Sequence, residues 1–292
     1  MSEHGALAEQ FETHRGQLRA VAYRMLGSAG EADDAVQEAW LRLARTDPAG
    51  IGSLEAWLRT VVSRLCLDML RARASRREEP YGWPPPAQPA GDGGPEQEAE
   101  LIDAVGRAML VVLDTLGPAE RVAFVLHDVF AVPFEEIAAI VGRTPTAAKK
   151  LASRARHRVR GAADVPAAEL AAQRRVVEAF LAAARGGDLD ALLAVLAPDV
   201  VRRADPAVLP PGRAPIARGA GAVAREMRRF GARARYAEPA LVDGRVGAVV
   251  APHGRLQIAI AITVRDGRVT EYELIADPAR LSRLDLAVLD PR

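Results

Sequence analysis

Residues 134–160 read FEEIAAIVGRTPTAAKKLASRARHRVR, and this stretch predicts two short helices joined by a tight turn. The first helix should end at Gly142, because glycine readily adopts the left-handed conformation that terminates helices. Thr144 is a typical N-cap residue and Pro145 suits the first position of a helix, so the second helix should begin there. The apolar stripe of the first helix consists of Ile137, Ala138 and Val141.

The second helix of this pair has one apolar and one basic face. Its apolar positions follow helical spacing and comprise Ala148, Leu151, Ala152, Ala155 and Val159. Residues 143–160 contain seven Lys or Arg and no Asp or Glu. A compact helix pair whose second helix is basic and faces outward is typical of a helix-turn-helix motif that reads a DNA major groove. The alternative is a solvated, basic surface helix in a helical bundle.

Composition limits the other possibilities. With 39 Lys and Arg against 38 Asp and Glu in 292 residues, the net charge is only +1, so any nucleic-acid contact must come from local patches. Cys66 is the single cysteine, which excludes an internal disulfide and a cysteine-rich zinc site, and its apolar neighbours predict an inert core thiol. We find no signal peptide or apolar run of membrane-spanning length, and expect a reducing, cytoplasmic compartment. We expect neither a metal nor a cofactor.

The N-terminal part predicts two helices, over residues 7–27 and 31–45. Acidic residues crowd the first two turns of the second helix, where carboxylates complement the helix dipole. The same residues, with a neighbouring glutamine, also make an acidic surface able to meet a basic protein partner. The acidic residues are Glu31, Asp33, Asp34 and Glu38, and the glutamine is Gln37.

A third helix is expected over residues 53–73, with one buried stripe and one increasingly basic side. The polar side includes Arg59, Ser63, Arg64 and Arg71. Basic residues near a helix C-terminus are also favoured by the dipole, so this patch alone is weak evidence for DNA binding. Residues 79–95 are rich in Pro and Gly and predict a linker, in which the aromatic residue Trp83 suggests docking on a neighbouring domain.

Two further helices, over residues 95–116 and 119–128, should complete a second all-helical unit that ends at Val165-Pro166. Beyond it we expect helices over residues 167–185 and 222–230, with a short helix between them that ends at Pro198. Alternating apolar residues from Leu256 to Val264, with hairpin turns at Asp243-Gly244 and Asp266-Gly267, predict an antiparallel meander. Helices followed by such a sheet make a separate α+β domain. The expected boundaries are 1–79, 80–96 (linker), 97–164 and 165–292.

With these motifs in view, residues 11–160 resemble an extracytoplasmic-function (ECF) sigma factor of bacterial RNA polymerase. The segment EADDAVQEAWLR is similar to the region 2 helix that binds the β′ clamp helices, which implies polymerase contacts at Asp33, Asp34, Gln37 and Glu38. The third helix resembles the part of region 2 that engages the −10 element, which implies DNA contacts at Arg59, Ser63, Arg64 and Arg71. The helix-turn-helix resembles region 4, which reads the −35 element and meets the β flap. Its expected DNA contacts are Thr144, Thr146, Lys149, Lys150, Ser153 and Arg154.

The third domain narrows the resemblance to the SigJ-like group, whose members carry a fused SnoaL-like domain of the NTF2-like fold. The group's linker signature has its counterpart at Trp83-Pro84-Pro85-Pro86, and its C-terminal signature at Asp277-Pro278-Ala279-Arg280-Leu281. A further motif of the group is not preserved after Asp205. The resemblance implies a regulatory role for Trp83 and Pro84 in the linker, and for Asp277, Pro278, Arg280 and Leu281 at the C-terminal end.

The C-terminal domain leaves two hypotheses open. It is either a built-in regulator, or a pocket that binds or converts an unknown small molecule. Asp199, Asp205 and His253 are the titratable residues we nominate for such a pocket, but they form no acid–base pair at defined spacing, so we expect no catalysis. A different class of protein, a one-component DNA-binding regulator with a SnoaL-like sensor, would have no use for the acidic helix.

Overall fold

The computed structural model describes residues 3–47, 50–78, 105–209 and 212–289. By their contacts the residues divide into two compact units. One contains residues 1–105 and 113–157, and the other contains residues 106–112 and 158–292. The predicted linker, with Trp83 and Pro84, lies outside the described residues.

The first unit begins with three helices, α1 (Glu3–Leu26), α2 (Ala29–Leu43) and α3 (Leu54–Glu78), which pack on one another. The Ser28 hydroxyl accepts a hydrogen bond from the backbone N–H of Glu31 and caps α2. Arg19 of α1 binds the Asp33 carboxylate through two hydrogen bonds of 2.7 and 3.1 Å, and Glu31 forms an ion pair with Arg73 of α3. Two of the predicted acidic residues therefore hold the three helices together.

Four more helices follow: α4 (Arg107–Asp114), α5 (Pro118–Phe124), α6 (Phe134–Val141) and α7 (Pro145–Arg160). The chain leaves α5 through a π-helical turn at Val125–Val129, where sequence alone predicted a continuous α-helix to residue 128. The backbone N–H of Phe130 bonds the Val125 carbonyl there, and the left-handed residue Ala131 then reverses the chain.

The helix-turn-helix forms as predicted. Gly142 ends α6 in the left-handed conformation, with φ 67° and ψ 44°. Thr144 caps α7, because its Oγ1 accepts a hydrogen bond of 3.2 Å from the Ala147 N–H. Four of the five predicted apolar positions of α7 are fully buried, namely Ala148, Ala152, Ala155 and Val159. Leu151 is half-buried.

The second unit packs helices on one sheet and confirms the α+β prediction. Its helices are α8 (Ala167–Gly186), α9 (Leu189–Val195), α10 (Ala220–Phe230) and α11 (Pro278–Leu281). Its strands are β1 (Leu196–Ala204), β2 (Ile216–Arg218), β3 (Ala237–Val242), β4 (Arg245–Val250), β5 (Ile258–Arg265), β6 (Arg268–Ile275) and β7 (Leu286–Ala287). Within the described ranges the strands form one sheet in the order β2-β1-β6-β5-β4-β3-β7.

The meander β3–β6 is antiparallel, and the hairpin turns at Asp243-Gly244 and Asp266-Gly267 are confirmed, with positive φ at all four residues. The predicted short helix ending at Pro198 is wrong in its C-terminal part. Helix α9 stops at Val195, and Pro198 lies inside β1, which pairs in parallel with β6. The register of that pairing shifts between Leu196 and Val201, so the proline occupies an irregular stretch that donates no ladder bond.

The single cysteine is a core residue, as predicted. Cys66 lies on α3 and is fully buried, and burial raises the pKa of its thiol to about 12 although the charge of Arg121 acts to lower it. No helix in the described part of the chain is both long enough and apolar enough to cross a membrane.

Candidate nucleic-acid and partner interfaces

The residues of the predicted acidic surface on α2 fall into two groups, one exposed to solvent and one bound within the unit. Asp34 and Gln37 are exposed to solvent, and Glu38 is half-exposed beside Arg42, to which it is joined by an ion pair of 2.9 Å. Asp33, by contrast, is half-buried in its ion pair with Arg19. Asp33 thus holds α1 against α2, and the other three residues remain available to a partner.

Leu41 extends this exposed face and was missed by sequence reasoning. Its side chain is 42% exposed, although it is a large aliphatic residue. It lies seven positions after Asp34 and four after Gln37, so all three share one side of the helix. An exposed leucine beside carboxylates suits a protein interface, which combines an apolar anchor with polar surroundings. The helical spacing from Asp34 was the signal that could have identified it.

The N-terminal half of α7 presents an open basic surface. Of the residues predicted to face DNA, Thr144, Thr146, Lys149, Lys150 and Arg154 are exposed and Ser153 is half-buried. Lys149 and Lys150 are the only two lysines in the chain, and they form no ion pair within the described residues. Apart from Arg154, these residues form no ion pair within the described residues, so they can donate hydrogen bonds to phosphates and to base edges without breaking one.

Two arginines of α7 are already engaged. Arg154 binds Glu120 of α5 at 3.0 Å and Arg156 binds Asp128 at 2.7 Å. The hydrogen bond to Asp128 raises the pKa of the Arg156 guanidinium. Both carboxylates lie N-terminal to α6, so these pairs fix the angle of α7 within the helix-turn-helix. Arg154 therefore supports the motif as well as carrying charge on its surface.

The surface of α3 predicted to meet single-stranded DNA is partly covered within the first unit, at Arg59 and Ser63. Arg59 forms ion pairs with Glu55 at 3.2 Å and with Glu136 of α6 at 2.7 Å. Arg64 donates a hydrogen bond of 3.0 Å to the Ala139 carbonyl, also on α6. Of the four predicted residues, Arg64 and Arg71 are exposed, and Arg71 lies beside Asp68 of its own helix.

Ser63, predicted on the polar side of α3, is fully buried. The reason is that α3 packs on α1 and α2 with one side and on α5 and α6 with another, so two faces are buried rather than one. Within the described residues, neither the Ser63 hydroxyl nor the Nε of Arg59 has a hydrogen-bond partner, and both atoms are buried. Each such atom costs about 1–3 kcal/mol when it loses water without gaining a bond.

Arg121 is a further buried polar residue that sequence reasoning missed. It lies on α5 and is 2% exposed. Its guanidinium binds Asp114 at 2.9 Å and the Arg24 carbonyl, at the end of α1, at 3.4 Å. The charge is thus satisfied by a carboxylate and by a helix C-terminus, which carries partial negative charge. No local pattern distinguishes this arginine from the exposed ones.

The C-terminal signature builds local structure in the second unit. The Asp277 carboxylate caps α11 by accepting a hydrogen bond from the Arg280 N–H, and Pro278 occupies the first turn. The Arg280 side chain binds Asp205 at 2.5 Å and Glu273 at 2.7 Å. Leu281, which closes this short helix, is half-buried.

Asp205 is a structural anchor of the same region. Burial acts to raise the pKa of its carboxyl, but hydrogen bonds from the Asp277 and Ala276 N–H groups and from Arg280 outweigh burial and hold the pKa below its usual value. A carboxylate held by three donors is unsuited to accept a proton from a substrate.

A cavity of about 400 Å³ lies inside the second unit, and none of the nominated residues lines it. Asp199 is exposed on β1, Asp205 is bound as described, and His253 lies in the turn between β4 and β5 with φ 53°. The polar groups at the cavity are instead Arg202, Glu226, Arg233 and Tyr272. The described residues contain no cluster of His, Cys, Asp or Glu that could hold a metal ion.

Comparison with known proteins identifies both helical regions. The family model for Sigma-70 region 2 matches residues 10–76, and that for Sigma-70, region 4 matches residues 106–159. Region 4 so defined contains α4 to α7. It begins in residues 106–112, which belong to the second compact unit.

Two relatives match nearly the whole chain. The ECF RNA polymerase sigma factor SigJ of Mycobacterium tuberculosis (strain ATCC 25618 / H37Rv) is 40% identical over 291 residues, which cover 94% of this chain and 92% of the relative. The probable ECF RNA polymerase sigma factor SigI of Mycobacterium tuberculosis (strain CDC 1551 / Oshkosh) is 33% identical over 293 residues, covering 97% and 98%. The crystal structure of Mycobacterium tuberculosis SigJ aligns with 37% identity and a TM-score of 0.45, over 94% of this chain and 98% of that one.

Proposed function

The chain belongs to the extracytoplasmic-function family of RNA polymerase sigma factors, and we propose that three of its surfaces divide the work of initiation between them. As an alternative sigma factor it binds core RNA polymerase and directs it to promoters. The relatives that match its full length, C-terminal domain included, are sigma factors, which disfavours the one-component regulator. Its place of action is then the cytoplasm, with the polymerase.

The face of α2 formed by Asp34, Gln37, Glu38 and Leu41 is our proposed contact with the β′ clamp helices. This face carries the proposal, because it is exposed in the free chain and combines acidic groups with an unburied leucine. Asp33 is half-buried in its ion pair with Arg19 and stabilises the position of α2. We therefore do not include it among the proposed polymerase contacts. Charge complementarity with a basic partner would speed the encounter, and the leucine would slow release.

On α7, we propose that Thr144, Thr146, Lys149 and Lys150 read the −35 duplex. Two observations support this proposal: the four residues are exposed, and they lie at the N-terminal end of α7. Recognition helices approach base edges with their N-terminal residues. Ser153 and Arg154 lie one turn further along and serve as phosphate contacts. Region 4 is also proposed to meet the β flap.

The surface of α3 formed by Arg59, Ser63 and Arg64 is our proposed site for the −10 strand, and α6 covers it in the free chain. The support is the pair of buried, unbonded polar atoms at Arg59 and Ser63, because separation of α3 from α6 would return both to water or to DNA. The free chain is thus a closed form whose −10 surface becomes available when regions 2 and 4 separate. Arg71 lies outside the covered patch and can contact the DNA backbone in either form.

The C-terminal domain is proposed to regulate the factor through α4, the first helix of region 4. The Glu238 carboxylate accepts hydrogen bonds from the backbone N–H groups of Arg107 and Ala108, at 2.5 and 3.1 Å. A carboxylate at this position satisfies two free donors and complements the helix dipole. Near the other end of region 4, the Val288 N–H bonds the Val159 carbonyl. The proposed domain boundary near residue 164 divides the sequence motifs of region 4 from the C-terminal domain. The hydrogen bonds of Glu238 and Val288, however, join residues on the two sides of this boundary.

We expect Asp34→Lys to weaken binding to core polymerase by at least about tenfold, because a like charge opposite a basic partner costs more than a lost contact. Fluorescence anisotropy with labelled protein and core enzyme measures the affinity. Glu12→Lys, the same charge change on the exposed face of α1, is the control and should leave the affinity unchanged. Equal losses in the two variants would disprove a specific role for α2.

We expect Glu136→Arg to open the closed form, because it puts a second guanidinium beside Arg59. Opening should return Cys66 to water, lower its thiol pKa from about 12 towards the ordinary value and speed its alkylation by iodoacetamide at pH 8. The single cysteine makes the reaction site unambiguous. Glu135→Arg, on the exposed side of α6, supplies the control, and identical alkylation rates in the two variants would argue against closure.

We expect the Lys149→Ala/Lys150→Ala double variant to reduce transcription from a promoter with its −35 element by about tenfold or more, since base and phosphate contacts are lost together. Arg160→Ala, at the far end of α7, should have little effect. An N-hydroxysuccinimide ester provides a second test: promoter DNA bound to holoenzyme should protect both lysines from acetylation, as measured by mass spectrometry. Unprotected lysines in an active complex would contradict the assignment.

We expect Glu238→Ala to change the transcript yield of holoenzyme by about threefold or more, because losing the two hydrogen bonds destabilises the start of α4 by about 1–3 kcal/mol. A higher yield would make the C-terminal domain an internal brake, and a lower yield would make it a required part of the active factor. Glu238→Gln keeps an acceptor oxygen, so its transcript yield should lie between those of the unaltered chain and of Glu238→Ala. Hydrogen–deuterium exchange of the Ala108 amide shows whether Glu238→Ala has loosened the start of α4. If this amide exchanges faster but the transcript yield equals that of the unaltered chain, regulation through α4 is refuted.

A further inference from the structure

The cavity of the C-terminal domain is mainly apolar. Its walls come from α8, α10, five strands and the 3-10 turns at Pro206–Val208 and Gly231–Tyr236. They include Phe180, Val208, Met227, Val250 and Ile260. At about 400 Å³ its volume lies near the lower end of the roughly 300–1,000 Å³ typical of small-molecule sites. An aliphatic and aromatic lining of this kind favours a ligand whose body is apolar.

A small group of polar side chains interrupts this lining at one wall. Arg202 is 2% exposed and donates hydrogen bonds of 3.1 and 2.5 Å from Nε and Nη2 to the Oε2 of Glu226, while its Nη1 bonds the Ala214 carbonyl at 3.1 Å. Both of these bonds go to one oxygen of Glu226. Within the described residues, the second oxygen, Oε1, is paired with Arg213 alone, at 4.0 Å. This oxygen keeps the capacity to accept a hydrogen bond from a ligand.

Tyr272 completes the polar wall. The residue is 4% exposed, its ring packs on Phe180 with centroids 5.4 Å apart, and it lines the cavity. No hydrogen bond between described residues engages its hydroxyl, and this atom is not one of the fully buried, unbonded atoms among them, so it is open to the cavity that Tyr272 lines. Burial raises the pKa of this phenol, and the charge of Arg202 opposes the rise. The hydroxyl therefore stays protonated and can both donate and accept.

The charges at this wall decide what kind of polar group fits. Arg202 and Glu226 neutralise each other, and the third charged group of the lining, Arg233, is exposed, so water screens its charge. A charged ligand would therefore lose its hydration without gaining a buried, unpaired opposite charge. A ligand hydroxyl, by contrast, can donate to Glu226 Oε1 and accept from Tyr272. We propose that the cavity binds an uncharged, mainly apolar small molecule that carries an alcohol or phenol hydroxyl, held between Tyr272 and Glu226. This site goes beyond the polymerase and promoter surfaces and does not depend on them.

The direct test is isothermal titration calorimetry of the full-length chain with 1-naphthol, an apolar bicyclic phenol. We expect binding that is at least about fivefold tighter than that of 1-methoxynaphthalene, which has lost the donor hydrogen, or of 1-naphthoate, which is anionic. Equal or tighter binding of 1-naphthoate would overturn the preference for a neutral ligand. No measurable binding of 1-naphthol would overturn the proposal as a whole.

Two variants locate the ligand. Tyr272→Phe removes only the hydroxyl and should weaken 1-naphthol binding about fivefold, with no change for naphthalene, which has no oxygen to accept a hydrogen bond from Tyr272. Tyr236→Phe makes the same change at a half-buried tyrosine that does not line the cavity and is the matched control. Equal effects in the two variants would exclude Tyr272 from recognition. Ala184→Leu fills part of the cavity, and unaltered 1-naphthol affinity in this variant would place the ligand elsewhere.

Discussion

The double burial of α3 is the constraint on which the arrangement of the helical regions depends. One side of α3 completes the α1–α2–α3 bundle, and another side packs on α5 and α6 of region 4. The second contact uses Arg59, Ser63 and Arg64, the residues proposed for the −10 strand. On the proposed assignment, one helix face serves both closure of the free factor and capture of DNA, and the two uses exclude each other.

Local signals in the sequence predicted local structure well. The helix-turn-helix follows from the left-handed Gly142, the Thr144 cap and the buried spacing of α7, all of which involve residues fewer than five positions apart. The two Asp-Gly hairpin turns follow for the same reason. By contrast, β1 was missed, because its pairing with β6 joins residues about 70 positions apart and no short pattern encodes it.

The candidate sites show the same limit. The acidic face of α2 was predicted as a set, but only the structure distinguishes Asp33, bound by Arg19 of another helix, from the exposed Asp34. In the C-terminal domain the nominated residues were wrong for a related reason. The polar groups of the cavity come from β1, α10, β6 and the 3-10 turn at Gly231–Tyr236, and the fold brings them together across more than 40 positions of sequence. An arginine and a glutamate in isolation read as ordinary surface residues.

The energetics of closure indicate what must open it. A half-buried ion pair contributes about 0.2–1 kcal/mol and the Arg64 hydrogen bond about 0.5–1.5 kcal/mol, whereas each unbonded atom at Arg59 and Ser63 costs about 1–3 kcal/mol. The polar contacts between α3 and α6 are therefore unfavourable on balance, and apolar packing holds the closed form. A partner shifts an equilibrium only through its difference in affinity between the two states. Because the face of α2 is exposed in the closed form, binding there alone favours neither state. The drive to open must come from contacts that α3 and α6 make only when apart, which assigns it to DNA capture or to a polymerase surface that holds region 4 away from region 2.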